Sequence, residues 1–337
     1  MRKMILLICV LALATVGIAP LAAQDDMMGP SVMLAPGEDL VIGFGAALTG
    51  EGLAPFGIDI RRGVELALED RPTVTVDDVE FNVALDVQDS MCSPEGGQTV
   101  ANRFVSDDSI VGVIGLMCSS AAEAAAPIFD EAGFSTISAS ATAASLTTSD
   151  FTSFNRTVPT DAAQGLAAAD IIVNVLGATN VAFIDDGSAY GTGLVDVIID
   201  AYEELGGTVA IRDAVTVGDT DFRALLEDIS ATDPDLIYFA GFNAEGARLI
   251  EQRFDVGLED VPFMGADGIY GSELVDLAGD FAELAESTLD LFRLLSCRFW
   301  TKPGVCIVKT WPPAEFRAPY LASRDMLPTG PSPLPGE

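Results

Sequence analysis

Histidine is missing from all 337 residues. Its absence removes the commonest general base and metal ligand. A Ser-His-Asp or Cys-His hydrolase is therefore excluded, and so is a His-based zinc site. Lysine is nearly as scarce, with Lys3, Lys302 and Lys309 the only three, so serine–lysine chemistry has little to draw on. All bases together number 17 against 51 acids, for a formal net charge of -34. Such a surface repels nucleic-acid phosphates and anionic lipids, which makes both poor partners. Charge this far from zero suits a salty medium, where screening weakens self-repulsion.

Long apolar runs are also lacking, except at the N-terminus. Arg2 and Lys3 precede an apolar run over residues 4–16, and small residues 19–23 then meet Gln24-Asp25-Asp26. This is the layout of a cleavable export signal, cut near Ala23 and leading to the periplasm. The run is short for a membrane span. Cys9 leaves with the signal, so the mature chain keeps Cys92, Cys118, Cys297 and Cys306 in a compartment that permits disulfides.

What remains is long enough for two domains, and 49% of the whole chain is hydrophobic. Residues 24–38 read as a flexible leader. From Asp39 onward, apolar runs of strand length alternate with Ala-rich stretches of helical period. Strands are expected at 40–44, 81–87, 110–114 and 134–137, with helices at 58–69, 94–105 and 120–131. The pattern then restarts. Strands are expected at 181–184, 209–216, 236–239 and 262–264, with helices at 162–176, 191–205, 221–229 and 244–254. This alternation predicts an α/β protein of two Rossmann-like lobes, 39–157 and 158–286, each a parallel sheet flanked by helices. Ligands of such sheets bind beyond the carboxyl ends of the strands, here in the cleft between the lobes.

The segment 113–120 ends a strand and opens a helix. Ser120 and Glu123 have capping-box spacing, which places Ser119 at the helix mouth, where free N–H groups favour an anion. An ordinary helix cap has the same appearance. Ser140 and Thr142 lie in a second hydroxyl-rich loop after the neighbouring strand. Asp267, after a strand of the second block, is placed to accept from an ammonium group, although Asp267-Gly268 also reads as a common turn pair. Tyr190 and Phe242 each follow a second-block strand and offer rings to a ligand or to packing. Gly43-Phe44-Gly45 with Gly50 misses the dinucleotide-loop spacing, because position 48 is leucine.

Together, Gly45–Gly50 with Phe56-Gly57, Cys92, Gly115–Ser120, Ser140-Ala141-Thr142, Tyr190-Gly191 and Phe263–Gly268 resemble the leucine/isoleucine/valine-binding family over about residues 40–283. These are periplasmic receptors of branched-chain amino acid ABC transporters, with the type I periplasmic binding protein fold. The resemblance implies a monomeric, non-enzymatic protein without cofactor or metal, which delivers a free amino acid to a membrane permease. It implies that Ser119 and Thr142 hold the ligand's charged ends, that the Ser140 carbonyl and Asp267 accept from its ammonium, and that Tyr190, Phe242 and Phe56 are ring walls. Phe242 and Phe56 stand where some members carry tyrosine, and Asp267 where most carry glutamate. It also implies a Cys92–Cys118 disulfide.

Residues 287–337 depart from this pattern. They hold both tryptophans, two cysteines, 8 of the 18 prolines, and 4 acids to 6 bases. Family members continue past this point and cross back to the first lobe. An interaction tail and a shifted reading frame both account for the break, and the composition favours the second. The rivals to transport are a sensory amino-acid or amide module of the same fold, and a truncated inactive homologue.

Overall fold

In the computed structural model, residues 32–270 and 272–281 are described. The expected signal, most of the leader, Cys297, Cys306 and the tail lie outside them. The first half runs β1 (Leu40–Ala46), α1 (Ala54–Asp70), β2 (Thr73–Val76), β3 (Val79–Asp89), α2 (Pro94–Val105), β4 (Ile110–Gly115), α3 (Ser119–Glu131), β5 (Thr136–Ser138), a single turn α4 (Ser145–Thr148) and β6 (Phe154–Arg156). Its strands form one sheet in the order β2-β3-β1-β4-β5-β6. β1 sits centrally, and Gly43 pairs with Asp86 on one side and Val113 on the other.

The sheet is parallel except at one edge. There β2 runs antiparallel to β3 through a tight hairpin at Asp77-Asp78, both left-handed with φ 48° and 65°. Aspartate tolerates that conformation better than most side chains, which allows a hairpin turn without glycine. This corrects the expectation of a wholly parallel sheet. All four residues of β2 are exposed, and its only sequence signal is the short alternation Thr73-Val74-Thr75-Val76.

Phe44, Phe104, Leu116 and Phe129 fill the core of this half. α2 starts cleanly, because Pro94 occupies its first turn and Ser93 Oγ accepts from the Gly96 N–H at 3.0 Å. α2 and α3 approach so closely that a Cβ on Gly97 would lie 2.2 Å from the Ala121 carbonyl oxygen, so glycine is required there.

Residues 157–160 cross to the second half. It runs α5 (Asp161–Asp170), a π-helical turn Ile171–Leu176, β7 (Asn180–Asp185), α6 (Ala189–Glu204), β8 (Thr208–Ala214), α7 (Arg223–Ser230), β9 (Leu236–Ala240), α8 (Asn243–Gln252), a 3-10 turn Arg253–Val256, β10 (Phe263–Gly265), a 3-10 turn Asp267–Ile269 and α9 (Ser272–Ala278). The second sheet has the order β10-β9-β7-β8 and is parallel throughout. Every residue of β9 is buried, as expected of a central parallel strand covered on both faces. One face packs Phe183, Tyr202 and Tyr238 with α5 and α6. The other packs Ile237, Phe239 and Leu249 with α7, α8 and α9. Among the described residues, no helix is long and apolar enough to cross a membrane.

Candidate functional site

The loops that follow the parallel strands of both sheets converge on one cavity of about 280 Å³. This is near the lower bound of small-molecule sites, roughly 300–1,000 Å³. From the first half come Phe56 after β1, Ser119 after β4, and Ser140 and Thr142 after β5. From the second come Tyr190 after β7, Phe242 after β9 and Asp267 after β10. All seven side chains singled out in the sequence line this one space. Ile60 and Met117 add apolar wall that the sequence reading did not name, and Asp59 stands at the exposed rim beside Arg62.

One end of the cavity is built to meet negative charge. α3 opens there with Cys118 as its cap residue, and no side chain caps it. The expected capping box is not formed. Ser120 Oγ instead accepts from the Ala189 N–H of α6 at 3.0 Å, and Glu123 takes the Ser145 hydroxyl. The first N–H groups of α3 are thus left to the cleft. Ser119, 2% exposed, accepts from the Ala143 N–H at 3.1 Å, which ties the second loop to this helix mouth. The Ala141 N–H donates to Ser138 Oγ at 2.9 Å. Between them, the Thr142 N–H donates to nothing among the described residues.

The lining also carries an acid. Asp267 Oδ1 accepts from Tyr190 Oη and from Gln164 Nε2, each at 2.7 Å. The Gly268 N–H donates to Tyr190 Oη at 3.2 Å and completes the turn. Burial, together with the Asp267 charge, pushes the Tyr190 hydroxyl well above its usual range, so it stays a donor. Oδ2 of Asp267 has no protein partner among the described residues, and neither does the Ser140 carbonyl. Tyr190 and Phe242 pack with ring centroids 5.5 Å apart and form part of the cavity wall.

Two polar residues here escaped the sequence reading. Gln164 orients Asp267. Asp161, the first residue of α5, is 1% exposed, and neither of its oxygens has a well-formed hydrogen bond. Burial pushes its carboxyl up to about 7. The Thr142 hydroxyl opposes that shift, the Asp267 charge adds to it, and Arg156 opposes it again. The sequence Thr160-Asp161-Ala162-Ala163-Gln164 reads as an ordinary helix start, and Thr160 does cap α5 by accepting from the Ala162 N–H at 2.9 Å.

The two halves touch around the cavity. Besides Ser120 with Ala189, Arg248 reaches Glu51 at 3.0 Å, and Gly52 abuts the start of α8. Cys92 and Cys118 are bonded, with Cα atoms 5.3 Å apart, and the bond sits immediately before Ser119. No group of three or more metal-ligating side chains occurs among the described residues.

A family model described as Periplasmic binding protein matches residues 39–314, which runs past residue 286 into the tail. A Pseudomonas aeruginosa protein named amino acid binding protein is 35% identical over 263 residues, covering 78% of this chain and 69% of its own. A leucine-, isoleucine-, valine-, threonine- and alanine-binding protein of the same organism is 32% identical, covering 60% and 54%. The chain thus spans between about half and two thirds of the length of these relatives. Among solved structures, a leucine binding protein LivK from Thermotoga maritima matches with TM-score 0.67 and 28% identity, over 72% of this chain and 67% of that one. A solute binding protein of an ABC transporter from Rhodopseudomonas palustris, in complex with p-hydroxybenzoic acid, shares the fold at TM-score 0.63 and 20% identity, over 72% and 65%.

Proposed function

Because the chain belongs to the periplasmic binding protein family, whose members bind solutes without turning them over, we propose that it captures a small α-amino acid with an aliphatic side chain, branched-chain or related, and delivers it to an ABC-transporter permease. One observation carries this reading. Unclaimed N–H groups at the α3 start and Thr142 line the same partly apolar cavity as the unclaimed Asp267 oxygen. A zwitterion offers a carboxylate to those N–H groups and an ammonium to Asp267. Phe56, Ile60, Met117 and Phe242 suit an aliphatic side chain between them.

In this reading the bodies 39–157 and 158–286 close about the crossing at 157–160. The ligand settles first on Ser119 and Thr142, and Asp267, Tyr190 and Phe242 then cover it and exclude water. The protein acts as an exported monomer. Micromolar affinity corresponds to about -8 kcal/mol, which two charge-assisted ends and one buried aliphatic group supply.

The named ligands of the relatives support amino acids, and the p-hydroxybenzoate neighbour supplies the rival, an aromatic acid. The ring walls would suit it, but Asp267 would then face a ligand with no cation to offer. Calorimetric titration with leucine, isoleucine, valine, alanine, benzoate and 4-hydroxybenzoate separates the two. Binding of an aliphatic amino acid with no heat from the benzoates is the expected result. Binding of the benzoates alone overturns it.

A further inference from the structure

Arg156 ends β6, immediately before the crossing, and turns its guanidinium under the loop that carries Ser140 and Thr142. Nη1 donates to the Ala141 carbonyl at 3.0 Å and to the Ala143 carbonyl at 2.9 Å. Nη2 reaches the Thr147 hydroxyl, and the group lies 5.6 Å from the centroid of the Phe154 ring. Five residues further on, the Asp161 N–H donates to the Thr142 carbonyl at 2.9 Å. Three successive carbonyls of one loop, 141 to 143, are thus held by β6 and the residue that begins α5.

This has a consequence for charge. Carbonyl oxygens free to turn into the cleft would repel a carboxylate. Held by a guanidinium and a backbone N–H, they are engaged elsewhere. The N–H groups of Ala141 and Ala143 are consumed by Ser138 and Ser119, whereas the Thr142 N–H between them donates to nothing among the described residues. A planar guanidinium suits this task, because its fixed donors bridge two acceptors at once.

We infer that Arg156 is the positioning residue of the carboxylate subsite: it touches no ligand, and it fixes the loop so that Thr142 presents its N–H to an anion. The inference rests on the amino-acid reading above.

The test compares leucine with leucinamide, which keeps the ammonium and side chain but lacks the carboxylate charge, on the full chain and its Arg156→Met and Arg156→Lys variants. Circular dichroism melts establish that each variant folds. Arg156→Met should lose about 30-fold or more in affinity for leucine and no more than about 3-fold for leucinamide. Arg156→Lys keeps the charge without the bridge and should fall between, about 10-fold weaker for leucine. If Arg156→Met does not fold, the lysine variant carries the comparison alone. Equal losses for both ligands, or undiminished leucine binding by a folded variant, overturn the inference and leave the amino-acid reading intact. A wild-type chain that binds neither compound overturns that reading and the inference with it.

Discussion

Removing the Cys92–Cys118 bond by the double substitution Cys92→Ala/Cys118→Ala should cost more stability than any other change near the cavity. The bond closes a loop of 26 residues. In the chain-entropy treatment a loop of that length loses about 12 cal/mol/K when cross-linked, or roughly 3.5 kcal/mol at 25 °C. The native conformation there works the other way, because strain released with the bond offsets part of this loss. Met91 and Cys92 hold left-handed backbone with φ 50° and 56°, which non-glycine residues adopt only when the surroundings insist. The bond is part of that insistence. For a body of this size each kcal/mol lowers the melting temperature by about 2–4 °C, so a fall of about 7–14 °C is expected. Function should suffer as well, because Cys118 begins the helix whose free N–H groups face the cavity. Differential scanning calorimetry of the oxidised wild type and the double variant measures the first effect, and titration of leucine measures the second. A double variant that melts within about 2 °C of wild type would refute the reasoning that this cross-link restrains the unfolded chain.

Asp161 makes stability depend on pH. Its folded-state carboxyl is raised to about 7 from an ordinary value near 4, so the folded chain holds a proton that the unfolded chain has released. Stability is therefore highest below about pH 4, falls as pH rises toward 7, and is lowest above it. Asp161→Asn should flatten that slope and gain roughly 2–4 kcal/mol at pH 8, measured by urea unfolding across pH 4–8; a slope unchanged by the substitution would show that Asp161 titrates normally. Asp267→Asn removes the charge that faces the ammonium and should weaken leucine by about 10- to 150-fold, or 1.5–3 kcal/mol, while 4-methylpentanoate, which has no ammonium, binds no worse. Gly52→Ala should impair closure while sparing the fold. Gly52 has φ 72°, and an added Cβ would lie 2.8 Å from the Ala244 backbone nitrogen across the cleft. Small-angle scattering should show a more open shape with ligand present, and a variant that closes like wild type would contradict the prediction.

The sequence was most legible where one strong pattern sufficed. β7 and β9 are covered on both faces and therefore read as unbroken apolar runs. The cavity residues were legible for a related reason. In a parallel sheet the loops after the strands share one edge, so short polar segments after apolar runs had to meet. β2 and β6 carried no such pattern. β2 is exposed along its whole length, and β6 is three residues with one buried side chain. The capping box failed for a tertiary reason. Ser120 and Glu123 had the right spacing, but Ala189 and Ser145 offered them other partners. Arg156, Asp161 and Gln164 show the same limit more sharply. Locally they form a strand end and a helix start, and any α/β chain contains many such stretches. Their roles arise because the crossing passes directly beneath the Ser140–Thr142 loop, which puts a guanidinium under two carbonyls and a buried acid near Asp267. Spacing along the chain encodes which residues share a loop or a helix face. It does not encode which loop lies on which crossing, and in this protein the polar groups that orient the cavity lining sit at those crossings.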